Sequence, residues 1–264
     1  MDLLTHTLSG IGIATVLASF ANKDVQKKGI ILLCGCLGGA LPDIDAISLW
    51  SRFDTTIGKF LRLPHRGRDI YFSNYWYSHR NFTHSLLGGV IMTLITVLCA
   101  YLIVVLVAQD KHITNFLKRT GIYFSALFFA HLTHLLGDLP TPGGPWGGLK
   151  LFWPLTTTIG GTGQLWWWHN DDILLIIFAC CVINTGLLIG YHLFKKTFMR
   201  YIPVLFVIGS FFLILHQIDQ RNFSFAYTGY TRKYEEYDKK SLEIQRKILG
   251  KKMYDIMRTM DRYF

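Results

Sequence analysis

Charge is scarce in this sequence. Only 17% of its 264 residues are Asp, Glu, Lys or Arg, against 51% hydrophobic residues and a mean hydropathy of +0.30. That composition excludes an ordinary soluble domain and points to a polytopic membrane protein. Acid is scarcer than base, 17 residues against 27, for a formal net charge of +10. The basic residues fall between apolar runs and in the tail, as membrane orientation signals and headgroup contacts do, so no nucleic-acid partner is expected. The five cysteines (Cys34, Cys36, Cys99, Cys180 and Cys181) all sit in apolar runs. A disulfide framework is therefore not expected, and Cys34-x-Cys36 reads as helix packing rather than a metal motif. No basic start precedes the first apolar run, which begins almost at Met1 and carries His6, so a cleavable signal peptide is not expected. Internal repeats and low-complexity segments are lacking too.

What the chain does have is long apolar runs. Residues 85–108, SLLGGVIMTLITVLCAYLIVVLVA, carry no charge and would span about 36 Å as a helix, enough to cross a bilayer. Residues 172–194, 201–216 and 121–139 are of the same kind. Residues 5–21 and 29–49 are weaker candidates, rich in the small residues that let membrane helices pack closely. Six spans are expected, giving an all-α membrane bundle. A charged, helical, amphipathic tail follows over 230–264. Three short loops (22–28, 109–119 and 195–200) each carry three basic residues. Six spans place them on one face, which the positive-inside rule assigns to the cytoplasm. The opposite face then receives the N-terminus, the loops 50–84 and 140–171, and the tail from about 217. The basic character of 50–84 runs against this orientation. All seven tryptophans fall on or beside that second face, where an aromatic belt at headgroup level is the expected reading.

Polar residues gather in four motifs: THTLSG (5–10) with His6, GALPDIDA (39–46) with Asp43 and Asp45, SHRNFTHS (78–85) with His79, Arg80 and His84, and HLTHLLGDLPTPGG (131–144) with His131, His134 and Asp138. Each such residue is costly in hydrocarbon unless it is paired, neutralised or bound. His134 and Asp138, four apart, project from one helical face and can share a metal ion or hold neighbouring ions. His131 shares that face, as a ligand or as a supporting partner. Imidazole with carboxylate suits zinc, manganese or iron. Six spans bring all four motifs to the same membrane face. Taken singly, each residue has a plainer reading: a helix terminus for His6, a cap or turn for Asp43, a headgroup contact for His79 and Arg80. Together they favour a metal site.

In this combination and order the motifs resemble the LexA-regulated, membrane-bound, metal-dependent hydrolase family, often called YdjM-like, over residues 1–160. The resemblance implies a membrane-embedded hydrolase domain at 1–160, further spans at 161–216, a basic tail at 217–264, and a multi-pass place in the bacterial inner membrane. A more distant likeness is to the zinc-dependent phospholipase C and single-strand nuclease superfamily, helical phosphoesterases with a zinc cluster. Matched to its motifs, His6, Asp45, His84, His134 and Asp138 would be the ligands. The chain lacks that superfamily's N-terminal Trp and has no second His-x-x-x-Asp beyond 138, which leaves one or two ions rather than three.

The expected chemistry is hydrolysis of a phosphoester, a lipid being one candidate, at the outer membrane interface. Divalent ions, zinc before manganese or iron, would activate water and stabilise charge on phosphoryl oxygens. Asp43 would orient a ligand or act as general base, and His79 would be a further ligand or proton donor. Arg80 would clamp a phosphate oxygen. A transporter or metal-ion carrier and a non-catalytic scaffold with a structural metal are the alternatives. The stretch WWWHNDD (166–172), with His169 and Asp171, is not expected to complete the site.

Overall fold

The computed structural model describes residues 1–21, 24–108, 112–194 and 196–261. Parts of the three basic loops (22, 23, 109–111 and 195) lie outside the described residues, as does the tail's end at 262–264. The described residues are helical, with three isolated bridges and no extended strand. Five helical segments are long and apolar enough to cross a membrane: Leu3–Phe20, Val25–Leu49, Leu86–Val107, Asp171–Phe194 and Thr197–Asp219. The expected span at 121–139 belongs to a longer helix, Ile113–Asp138. Its first two turns carry Lys118 and Arg119, which the loop reading had placed outside it.

Helix α1 (Leu3–Phe20) starts where the Asp2 carboxylate accepts from the Thr5 backbone N–H at 2.9 Å. Helix α2 (Val25–Ala40) is capped in the same way by Asp24 on Lys27, at 2.9 Å. Pro42 cannot donate a backbone hydrogen bond, and from Leu41 the chain tightens into a 3-10 segment over Leu41–Leu49. Short helices α3 (Ile57–Phe60) and α4 (Gly67–Phe72) precede α5 (Leu86–Ala108). Helix α6 (Ile113–Asp138) ends two residues before Pro140. Helices α7 (Asp171–Phe194) and α8 (Ile202–Asp219) follow, and α9 (Tyr234–Asp261) closes the chain, broken at Gly250 where φ is 71°.

Helices α1, α2 and α6 form the centre of the bundle. They approach backbone to backbone: a Cβ at Gly10 would collide with the Gly35 carbonyl, and one at Gly38 with that of Leu127. Without a hydrophobic drive between helices in lipid, such small-residue seams give association its dispersion energy. Helix α7 packs on α1, and α8 on α7. Helices α5 and α8 leave Leu94, Leu106, Leu205 and Phe212 exposed, the faces that acyl chains cover.

Helix α9 is docked on protein. Trp166 and Phe225 are fully buried and form a cluster with Tyr237 of α9. Arg221 meets both Asp172 oxygens, at 2.9 and 3.0 Å, and Gln245 of α9 donates to the same carboxylate at 3.1 Å. The aromatic-belt reading expects exposed tryptophans, and Trp50, Trp76 and Trp168 are exposed. It fails for Trp146 and Trp166, which are interior: Trp146 donates to the Tyr71 carbonyl at 2.8 Å, and Trp166 carries the cluster just described.

Candidate metal centre

The start of α1, the 3-10 segment after α2, the turn before α5 and the end of α6 converge on one point. His6, His84 and His134 are fully buried there. The α6 spacing does its expected work, with His134 Nε2 3.5 Å from Asp138 Oδ2. From α1, His6 stacks on His134 with ring centroids 3.6 Å apart, and its Nε2 lies 3.1 Å from Asp138 Oδ1. His84 Nε2 lies 3.3 Å from Asp43 Oδ1 and 3.7 Å from Asp138 Oδ2. Asp43 Oδ1 is also 3.7 Å from His134 Nε2.

Three overlapping triads offer ligand atoms within 4.8 Å of one another: His6–Asp43–His134, Asp43–His79–His84 and His84–His134–Asp138. Asp43 belongs to two of them and Asp45 to none. Asp45 instead accepts from Thr83 Oγ1 at 2.9 Å and faces His79 Nδ1 at 3.0 Å and His84 Nδ1 at 3.5 Å. The turn after Pro42 thus aims Asp43 at the centre and sets Asp45 behind the two histidines of the turn before α5.

His134 tests whether the set fits a metal. Its Nδ1 is 2.7 Å from the Gly39 carbonyl, which can only accept, so Nδ1 carries a proton and Nε2 is the nitrogen turned to the centre. That Nε2 is buried with no hydrogen-bond partner and points at two carboxylates. A metal-ligating imidazole is commonly held in this way, one nitrogen fixed by a carbonyl and the other free. Charge agrees with it. Three carboxylates (Asp43, Asp45 and Asp138) face two fixed cations, Arg80 at 3.9 Å and the Met1 ammonium at 2.7 Å, both measured from Asp138 Oδ1. Burial holds the His84 imidazole below its ordinary pKa, against the pull of the Asp43 and Asp45 carboxylates, which favours the neutral, ligating form. The donor set therefore fits a divalent cation of the zinc, manganese or iron type.

The remaining residues form the wall. Arg80, at φ +61°, donates from Nη1 to the Pro142 carbonyl at 2.8 Å and from Nη2 to Thr141 Oγ1. It thereby fastens the turn after α6 and lies over Trp146 and Trp167, 5.5 and 5.9 Å from their rings. Only its Nε is left without a partner. His131 faces the Ser85 carbonyl across to α5 at 3.3 Å and belongs to none of the triads. His169 and Asp171 also stay outside them; His169 instead faces Asp238 of α9 at 3.0 Å. Cys34 and Cys36 are free and take no part.

Sequence reading missed Tyr71, which stacks on His79 at 4.5 Å. Burial and the nearby carboxylates raise its phenol pKa, so it stays protonated. Trp146, 4.6 Å from the same imidazole, and the carbonyl of Gly39 were missed as well. No motif marks a stacking tyrosine eight residues before His79, or a backbone carbonyl.

Fold and site together define a multi-pass helical membrane protein with a buried His/Asp cluster where four of its helical segments end or begin. The chain belongs to the YdjM inner membrane protein family, whose model matches residues 1–221. The match runs through α7 and α8, beyond the 160 residues over which the motifs carry the resemblance, and stops before α9. No curated protein and no solved structure matches the chain, and nothing supports the more distant phospholipase C likeness.

Proposed function

We propose that this inner-membrane protein is a metal-dependent hydrolase of phosphoesters, with its site at the outer membrane interface. The observation that carries this reading is the partnerless, buried Nε2 of His134, held by Gly39 and aimed at Asp43 and Asp138. His6, Asp43, His84, His134 and Asp138 would hold one or two divalent ions. Asp45, a ligand by the motif likeness, would instead orient His79 and His84, and Asp43, expected to orient a ligand or act as general base, would itself be a ligand. Such an ion, when bound, supplies Lewis acidity and lowers the pKa of water.

The chain's own groups do the rest. Asp45 at 3.0 Å fixes the proton of His79 on Nδ1 and leaves Nε2 to move a proton to or from the reacting group. Tyr71, stacked on that imidazole, and Trp146, edge-on to it, hold it in place. Arg80 fixes the turn after α6 and adds positive charge behind Asp138. Asp43, with 17% of its side chain exposed, is the most accessible of the three carboxylates.

The test compares wild type with a His134→Ala/Asp138→Ala variant, both purified in detergent. Elemental analysis should find one or two ions per chain in wild type and none in a variant that remains folded. Wild type should hydrolyse bis(p-nitrophenyl) phosphate, and the variant should not. Metal-free wild type after purification in metal-replete buffer sinks the reading. So does bound metal without ester hydrolysis, which leaves a structural metal or, with flux into sealed vesicles, a carrier.

A further inference from the structure

A cavity of about 630 Å³ opens between α1, α6, α7 and α8, well within the size of small-molecule sites. We infer that it holds one acyl chain of a membrane phospholipid, so that the substrate of the proposed hydrolase is a lipid phosphoester; the substrate assignment, though not the binding, rests on that reading.

Three observations lead there. The first is surroundings. Helices α1, α7 and α8 lie in segments of membrane-crossing length, and the cavity's walls are overwhelmingly apolar, among them Ile13, Leu136, Ile177 and Ile214. At that depth the apolar molecule on hand is an acyl chain.

The second is shape. Small side chains face the space from both sides, Ser9 and Gly12 on α1 and Ser210 on α8, where larger ones would fill it.

The third is continuity with the metal centre. On α6, Thr133 and Gly137 line the cavity, while His134 and Asp138, each one residue on, face the centre; Pro140, just beyond the helix, lines the cavity too. The wall between them is thin. A Cβ at Gly137 would stand 2.5 Å from Met1 Cε on one side and 3.2 Å from His6 Cε1 on the other. Polar Thr162 and Gln164, from the loop beyond α6, rim the cavity at the site's end. A phospholipid with its chain in the cavity therefore brings its phosphate to the end of α6.

The test is photo-crosslinking of the full chain in vesicles of phosphatidylethanolamine and phosphatidylglycerol that contain a phosphatidylglycerol with a diazirine in one acyl chain. Adducts are mapped by mass spectrometry in wild type, in Ser210→Phe and in His134→Ala/Asp138→Ala. Ser210 belongs to none of the three triads, and the Ser210→Phe side chain fills the cavity from α8. The expected result is labelling of Leu136, Ile177 or Ile214 in wild type and in the metal-centre variant, reduced at least tenfold in Ser210→Phe. Over the same samples, labelling of the lipid-facing Leu205 and Phe212 should not change. Labelling confined to Leu205, Phe212 and similar outward residues, or equal cavity labelling in wild type and Ser210→Phe, overturns the inference. Because the readout needs neither metal nor turnover, the hydrolase reading can fail while acyl-chain binding stands, and the reverse.

Discussion

Gly39→Ala is the sharpest single test of how packing builds the site. Its added methyl would collide with the backbone carbonyl oxygen of His6 on α1 and stand 3.2 Å from Thr7 Cα. Carbon wants roughly 3.5 Å from a non-bonded neighbour, so α1 and α2 would have to part by about 1 Å. Both obstacles are main chain, and no side chain can swing aside. The cost should fall at the upper end of overpacking penalties, about 3 kcal/mol. The consequence for function is larger than the cost. The carbonyl of Gly39 holds His134 Nδ1 at 2.7 Å. A shift of about 1 Å exceeds hydrogen-bond range, and His6 moves with α1. Losing such an orienting partner costs roughly 10- to 100-fold in metal affinity. Melting in detergent and metal titration of wild type, Gly39→Ala and Gly121→Ala would read both effects. Gly121 has open space around its Cβ position and serves as the control. If Gly39→Ala melts with wild type and binds metal equally well, the account of the α1–α2 seam is wrong.

Other predictions follow from the same geometry. Asp43→Asn should abolish metal retention, whereas Asp45→Asn, which only loosens His79 and His84, should weaken it about 10- to 100-fold; equal losses in a metal titration would undo the division of roles. Arg221→Ala strands the buried Asp172 carboxylate and should destabilise the protein by about 3–5 kcal/mol, while the Arg221→Ala/Asp172→Ala pair should recover part of that, as thermal melts in detergent can read. Trp166→Ala empties the cluster under α9 and should cost about 3–5 kcal/mol. It should also free α9, so limited proteolysis between Ala226 and Tyr234 should become faster than in wild type.

The sequence by itself determined the class of the molecule and the cast of its site. Low charge and uncharged runs such as 85–108 require membrane helices, because hydrocarbon offers the backbone no other partners. The four polar motifs were conspicuous for the same reason: His6, His84, His134 and Asp138 are too costly in apolar runs to lack a purpose. Helical spacing alone put His134 and Asp138 on one face. Roles within the site were decided by tertiary structure. Which of Asp43 and Asp45 faces the centre depends on the 3-10 twist after Pro42, and two residues of separation cannot show that in sequence. Arg80 looked free to clamp a phosphate, yet the fold commits its Nη atoms to the turn after α6. Tyr71, Trp146 and the Gly39 carbonyl came into view only with the fold, since stacking and carbonyl contacts join segments that no local pattern links. The tail's basic, amphipathic composition fitted a soluble or surface-lying helix. The fold seats it on Trp166 and Phe225, because a buried aromatic cluster needs a third wall, and α9 supplies it with Tyr237.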